Sequence, residues 1–373
     1  MEKKFYIEQK SLLGLLASMQ PICAKRTTLD ATTYILFHIG HRELILKSTD
    51  LEISLQANCS LENSTLTEPE SFLVGGKRIF DIVKELDGII ECTLNNNQLL
   101  LRSGAVALDL NIKDDSEFPP FPERIENIMD LNALQLKNML DSVAFLIPSN
   151  NTNPALNALL MEIAPSVLTM TTTDGHCLAQ ARLNQDTVTQ NQQWLLPKRA
   201  IFELKKILES ANDSVVFLGT CGRQLVFSGD FFNFFTKLVS DPFPQYASIL
   251  DKTSFIPATI DKTQFTKTLR RSTCLLSGNF LATNFGFSHN ALRVSINNKE
   301  VGKLDEEIPM IGFDTEPLTM RFYAPYLLNG IQAFNQEKIT FFLKNGTKPI
   351  IFESSADAIS LTYIVMPVSS QTT

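Results

Sequence analysis

The sequence predicts an α+β protein made of three tandem copies of one unit, each with two helices packed on antiparallel sheets. Three observations lead there. Apolar and polar residues alternate over many short runs, which marks strands with one buried face. Two stretches in each copy carry helical periodicity instead. The landmarks recur at a spacing of about 124 residues, a third of the 373-residue chain. Thr49-Asp50 follows the alternating run 44–48, Thr173-Asp174 follows 167–172, and Asn297-Asn298 follows 292–296. Gln98-Leu99 with Ser103-Gly104 returns as Gln224-Leu225 with Ser228-Gly229, and Phe118-Pro119 returns as Phe243-Pro244. Lys77-Arg78-Ile79-Phe80 returns as Lys198-Arg199-Ala200-Ile201-Phe202.

Each copy opens on a short strand: Phe5-Tyr6-Ile7, then Ile128-Met129-Asp130-Leu131, then Ala258-Thr259-Ile260. A helix follows, read from Leu12, Leu15, Leu16 and Met19; from Leu136, Met139, Leu140 and Val143; and from Phe265, Leu269, Ser272 and Leu276. Alternating strands come next, then a second helix over 78–86, 197–208 and 325–334. Pro197 and Pro325 suit a first helical turn, where the missing N–H costs nothing. Further strands over 98–112, 214–239 and 338–368 end the copies. Boundaries fall after Phe118-Pro119-Pro120-Phe121-Pro122 and after Phe243-Pro244-Gln245-Tyr246, giving domains 1–125, 126–254 and 255–373.

The net charge is −7, from 33 basic and 40 acidic residues. That excludes a surface basic all over, as nucleic-acid-coating proteins have, but not a local basic face. No apolar run has the length of a signal-peptide core or a membrane helix, so a cytoplasmic protein is expected. Cys23, Cys59, Cys92, Cys177, Cys221 and Cys274 form no C-x-x-C pair, and the four histidines add no metal-ligand spacing. No metal or other cofactor is expected. Asp174 and His176 stand two apart like an acid–base pair, yet no nucleophile motif accompanies them. Gly75-Gly76-Lys77 resembles the end of a phosphate loop, but Ser71 stands where that pattern needs Gly. The plain reading of Asp174-Gly175 is a tight turn. An enzyme is not expected.

Certain stretches carry a family resemblance. They are Thr173-Asp174-Gly175-His176-Cys177-Leu178-Ala179, Thr236-Lys237-Leu238-Val239 with Phe243-Pro244-Gln245-Tyr246, and Tyr363-Ile364-Val365-Met366-Pro367-Val368. Leu156-Asn157, Leu196-Pro197-Lys198-Arg199 and Thr49-Asp50-Leu51-Glu52 support them. Over its whole length the chain resembles the bacterial DNA polymerase III beta subunits, the sliding clamps. The resemblance implies a non-catalytic processivity factor: two chains joined head to tail, six similar clamp domains around duplex DNA, helices inside and sheets outside. The implied partners are a second copy, duplex DNA without sequence preference, polymerase III subunits, the clamp loader, and repair polymerases bearing the clamp-binding motif. A peptide-binding scaffold acting without DNA is the alternative; a hydrolase using Asp174 and His176 is a distant third.

Carried over position by position, the resemblance implies a partner-peptide cleft between the second and third copies. Leu156, Thr173, Gly175, His176, Cys177, Leu178, Pro244, Ser248 and Ile249 would line it, with Phe280, Tyr323, Tyr326, Thr347, Ile364, Met366, Pro367 and Val368. Cys177 and Ser248 stand where relatives usually carry Arg. DNA contact falls to Arg26, Lys198, Arg199, Lys267, Arg270 and Arg271. On the helix of the third copy the last three lie opposite the apolar stripe at ~100° per residue, as phosphate contact requires. The uncharged loop Ser149-Asn150-Asn151-Thr152-Asn153 departs from relatives that place a basic residue there. Ring closure falls to Arg102, Leu108, Leu110, Cys274, Leu275, Asp305 and Glu306.

Overall fold

A computed structural model describes residues 3–23, 29–122, 125–185, 191–211, 214–277, 282–356 and 358–368. Six helices occur among them: α1 (Gln9–Met19), α2 (Gly76–Lys84), α3 (Ala133–Ala144), α4 (Lys198–Ala211), α5 (Lys262–Thr273) and α6 (Ala324–Ile331). They fall two to a copy, as the periodicity requires. The apolar stripes are buried: Leu12, Leu16 and Met19 on α1, Leu136, Met139, Leu140 and Val143 on α3, Phe265 and Leu269 on α5. Each such side chain contributes about 1.5–3 kcal/mol by leaving water, which is how α1 holds together without an N-cap hydrogen bond.

The chain packs into two compact units. One comprises Met1–Lys137 and Arg199–Leu238; the other comprises Asn138–Lys198 and Val239–Thr373. The second copy therefore gives four strands to each unit.

The first unit holds two antiparallel sheets. Five strands run in the order Asn63–Ser64, Lys3–Glu8, Ile89–Asn95, Gln98–Ser103, Val106–Asn111. Eight run in the order Glu126–Asn132, Val215–Cys221, Gln224–Gly229, Phe232–Lys237, Ile53–Ser60, Glu43–Thr49, Tyr34–Ile39, Glu70–Gly75. The larger sheet crosses from the second copy to the first where Phe234 pairs with Leu55.

The second unit holds one sheet of twelve strands. It runs Gln192–Pro197, Ala158–Ala164, Val167–Thr173, Cys177–Asn184, Ile359–Val365, Ile350–Ala356, Lys338–Leu343, Ile256–Asp261, Gly302–Ile311, Ala291–Asn298, Thr283–Ser288, Leu318–Phe322. It crosses from the second copy to the third where Leu178 pairs with Ile364. At each crossing the backbone ladder is unbroken, so the copies share a sheet rather than touching through side chains.

Expectations at element ends shift: the helices read over 78–86 and 325–334 run Gly76–Lys84 and Ala324–Ile331. Pro197 ends a strand, opposite Ala158, and the helix starts at Lys198. A proline lacks the ladder N–H and is tolerated at such an end. Leu276 lies beyond α5, which stops at Thr273; Thr268, not foreseen, is fully buried on the same helix. Pro325 does stand in the first turn of α6.

Candidate functional site

The motif 173–178 folds into a turn that closes on itself. Asp174 Oδ1 accepts the backbone N–H of His176 at 2.8 Å and of Cys177 at 2.7 Å. Thr173 Oγ1 donates to the Cys177 carbonyl at 2.5 Å and accepts the Gly175 N–H at 3.1 Å. Gly175 sits at φ +93° with open space around its Cα, so the backbone conformation and not crowding demands glycine. The carboxylate of Asp174 is thus a turn-former. The Cys177 thiol is buried, and burial first, then Asp174, pushes its pKa up, which leaves it protonated and unreactive.

Three segments distant in sequence meet beside this turn. Leu178, Ile351 and Ile364 form one buried cluster, and Tyr246, Ile249, Leu250, Phe255 and Phe342 pack against it. The strap 240–250 has little regular structure and is anchored by Phe243, Tyr246 and Ile249, three residues apart. Tyr246 also packs on the neighbouring cluster of Ala155, Ala158, Leu160 and Leu195. Its hydroxyl donates to Glu162 and accepts from Thr171 Oγ1 at 3.4 Å. Burial and the Glu162 hydrogen bond push this phenol to about 12.

On the other flank the His176 ring stacks on Tyr326, centroids 5.7 Å apart, and Tyr323 meets Tyr326 edge-on at 5.1 Å. Burial, then Asp174, Cys177 and Tyr323, raise the Tyr326 phenol to about 12, so it is a neutral polar handle. The end of the chain is tied in by its backbone: Met366 N–H donates to the His176 carbonyl at 3.0 Å, and Val368 N–H to that of Arg321 at 2.8 Å. Pro367 lies between them. Met366 stays 39% exposed. The arrangement is an apolar floor with aromatic and methionine rims, suited to apolar peptide anchors.

The remaining expected residues are placed less tightly. Leu156 is buried in the short helical turn Pro154–Asn157. Pro244 and Ser248 are exposed on the strap. Thr347 is exposed in the turn after Lys338–Leu343, where its hydroxyl donates to Asn345. Phe280 lies outside the described residues. Sequence reasoning missed Tyr246, Leu250, Phe255, Phe342 and Ile351; the spacing of Phe243, Tyr246 and Ile249 by threes was the available signal.

The first copy builds the same turn with the same Thr-Asp pair, Leu51 at φ +73° standing in the place of Gly175. Asp50 Oδ1 accepts the N–H of Glu52 and Ile53, Thr49 Oγ1 donates to the Ile53 carbonyl, and Lys237 N–H reaches the Glu52 carbonyl as Met366 N–H reaches that of His176. Here Lys237 pairs with Glu52 at 3.1 Å, and Arg199 pairs with Asp50. Charge closes this turn where the other stays apolar and aromatic.

Several of the cations expected at phosphates are bonded within the chain. Arg199 is held by Asp50 and donates to the carbonyls of Pro21 at 3.0 Å and Ile22 at 3.4 Å. Lys198 donates to the Ile147 carbonyl at 2.7 Å and to Ser149 at 2.9 Å. Arg271 is paired with Glu306. All three thus make bonds within the chain. Lys267 and Arg270 project from α5 into solvent. Lys77, Arg78 and Lys84 do so on α2 and were missed. Arg26 lies outside the described residues.

Among the described residues, two of the backbone edges left open carry the residues expected at ring closure. Val106–Asn111 ends the five-stranded sheet, with Leu108 and Leu110 half-buried and Arg102 exposed on the adjoining strand. In the second unit, Gly302–Ile311 pairs along its length with Ala291–Asn298, but its other side meets Ile256–Asp261 only at Met310 and Ile311. Cys274 is exposed and Leu275 half-buried just past α5, and the Leu275 side chain reaches Gly302. The acidic pair expected to face Arg102 is already engaged: Asp305 binds Arg293 at 2.7 Å and Glu306 binds Arg271 at 2.9 Å.

Family models match three consecutive parts of the chain: the DNA polymerase III beta subunit N-terminal domain on residues 3–122, the central domain on 130–245 and the C-terminal domain on 248–369. Curated relatives include the beta sliding clamp of Pseudomonas aeruginosa, 26% identical over 369 residues, 98% of this chain and 99% of the relative. That of Proteus mirabilis is 28% identical over 371 residues, with the same coverage. Among solved structures, the Pseudomonas aeruginosa DnaN sliding clamp bound to griselimycin superposes with a TM-score of 0.91 at 24% identity, covering 99% of this chain and all of that one. The Bacillus subtilis DNA polymerase sliding clamp gives 0.90 at 22% identity, also covering 99% of this chain and all of that one.

Proposed function

The chain belongs to the DNA polymerase III beta-subunit family, and on that footing we propose that it closes into a homodimeric ring around duplex DNA and holds the replicative polymerase there. The protein is a non-enzymatic DNA sliding clamp, a processivity factor. The observation that supports the partner site best is convergence. Segments 173–178, 246–250 and 364–368 are remote in sequence yet meet on one apolar, aromatic-rimmed face. We assign this face to short apolar peptides of polymerase III subunits, the clamp loader and repair polymerases.

Ring closure is assigned to the two open edges. An unpaired edge seeks a partner, and head-to-tail pairing of 106–111 in one copy with 302–309 in another satisfies both in a closed two-fold. Leu108, Leu110 and Leu275 supply its apolar contacts. The domain limits 1–125, 126–254 and 255–373 fit the strap positions. DNA passes a surface to which α5 gives Lys267 and Arg270. The place of action is the cytoplasm, with the chromosome.

Topological trapping tests the reading directly. Clamp loaded on nicked circular DNA is expected to stay through gel filtration in high salt and to leave once the circle is cut. Retention on linear DNA equal to that on circles would refute encirclement, and a partner scaffold acting without DNA would bind neither.

A further inference from the structure

We infer that the first unit carries a second ligand site, for a carboxylate on a ring-sized apolar body, beside the strap that follows the first copy. A cavity of about 380 Å³ lies there between the sheet face and the strap, within the usual size of small-molecule sites. His38, Lys47, Gln56 and Asn233 supply polar groups to it; Ile45 and Phe235 give an apolar wall, and Pro122 and Ile125 close it from the strap.

The internal repeat shows what this position is built to hold. In the first unit Lys47 pairs with Leu36 and Gln56, Gln56 with Asn233, and His38 with Ile45. In the second, Thr171 pairs with Leu160 and Gln180, Gln180 with Thr362, and Glu162 with Thr169. The registers correspond strand for strand, so Lys47 answers to Thr171, Gln56 to Gln180 and His38 to Glu162. In the second unit Tyr246 fills the place, its hydroxyl bonded to Glu162 and Thr171. In the first the strap offers Phe121, edge-on to Phe235 at 5.5 Å with Lys47 Nζ 5.0 Å from its ring centre. A phenyl ring brings no oxygen.

The polarity is also reversed. An acceptor and a hydroxyl in one unit become an imidazole and an ammonium in the other. His38 lines the cavity and uses Nδ1 on Ser71 at 2.8 Å; among the described residues its Nε2 makes no hydrogen bond. Asn233 Oδ1 takes the Ser228 hydroxyl and leaves its amide hydrogens. Among the described residues, Lys47 and Gln56 make no side-chain hydrogen bond. Among the described residues, these donors beside an aromatic wall meet no anionic oxygen, which a carboxylate on an apolar body would bring. Charge-assisted bonds hold such a group.

Fluorine NMR of the full-length protein with para-fluorobenzoate tests the site, with para-fluorobenzyl alcohol as the neutral control. The acid is expected to bind saturably and the alcohol about tenfold more weakly, the loss of one charge-assisted contact. Lys47→Met should weaken the acid by a similar factor. Phe121→Tyr, which brings its own oxygen, should compete and weaken it too. Gln56→Leu serves if Lys47→Met does not fold. Met366→Glu, in the proposed peptide cleft, should leave acid binding unchanged, so failure of the peptide reading and failure of this one are distinguishable. No saturable binding, or acid binding equal in parent, Lys47→Met and Phe121→Tyr, overturns the assignment.

Discussion

Single residues decide what each turn of the repeat can do. His176 and Met366 leave the second copy's turn open and apolar, while Glu52 and Lys237 close the first copy's turn by an ion pair. Met366 is a better probe of the peptide face than Leu178. Leu178 is 4% exposed inside the buried cluster, so Leu178→Asp would place an unpaired charge in the core and unfold that region. Met366 is 39% exposed. Met366→Glu is therefore expected to weaken a Gln-Leu-x-Leu-Phe-type peptide by at least about tenfold, read by fluorescence polarisation, with an unchanged melting curve. Undiminished binding would remove the chain's end from the site. The phenols of Tyr246 and Tyr326 give a second prediction. Both titrate at about 12 in the folded chain against 10.0 when unperturbed. A raised folded pKa holds the proton more tightly, so the stability it contributes is complete below pH 10 and falls away as pH rises towards 12. Denaturant midpoints should drop across that window, and less steeply in Tyr246→Phe. An equal slope in both proteins would mean that Tyr246 ionises as freely folded as unfolded.

Among the described helices, α5 and α2 carry exposed cations outside ion pairs, α4 carries Arg199 paired with Asp50 and Lys206 paired with Glu203, and α1 and α3 carry one lysine each. On α5, Asp261 caps the first turn through Gln264 N–H at 2.7 Å, Phe265 and Leu269 face the core, and Lys267 and Arg270 face solvent. Arg271 is paired with Glu306, so reversing it would break a contact within the fold. Lys267→Glu with Arg270→Glu is the cleaner pair. Retention on circular DNA should shorten severalfold at low salt and converge with the parent at high salt, since phosphate contacts are screened and release counterions. Equal lifetimes at low salt would take α5 off the DNA face. Arg199, at the start of α4, is bonded within the fold. Its half-exposed pair with buried Asp50 and its two carbonyl bonds tie α4 to the first copy's turn within one unit.

At the scale of the molecule, the prediction concerns closure. One chain is 41.7 kDa, so a two-fold ring weighs about 83 kDa, twice that value. Asp at both Leu108 and Leu275 would bury unpaired charge where the two open edges are proposed to meet. The double variant is expected as a folded monomer by light scattering at low micromolar concentration. A dimer persisting there would place the junction elsewhere. Because Asp305 and Glu306 are neutralised within their own chain, closure should depend little on salt, as apolar and backbone pairing does.

The sequence by itself determined the three-fold repeat, the helix stripes, the alternating strands and the turn at 173–178. All of these are local: periods of 2 and 3.6, a Thr-Asp-Gly triplet and a strap of prolines act over a few residues and are written where they act. Family resemblance then carried the site residues to their positions. Tertiary structure alone decided which charges are free. Arg199, Lys198, Arg271, Asp305 and Glu306 look like surface cations and anions in the sequence, and only folding brings Asp50, Ile147, Glu306, Arg293 and Arg271 within bonding distance of them. It also decided that Tyr246 bridges two buried clusters while its counterpart Phe121 leaves a cavity. A hydrogen bond or a void depends on what arrives from the other end of the chain, and periodicity carries no record of that.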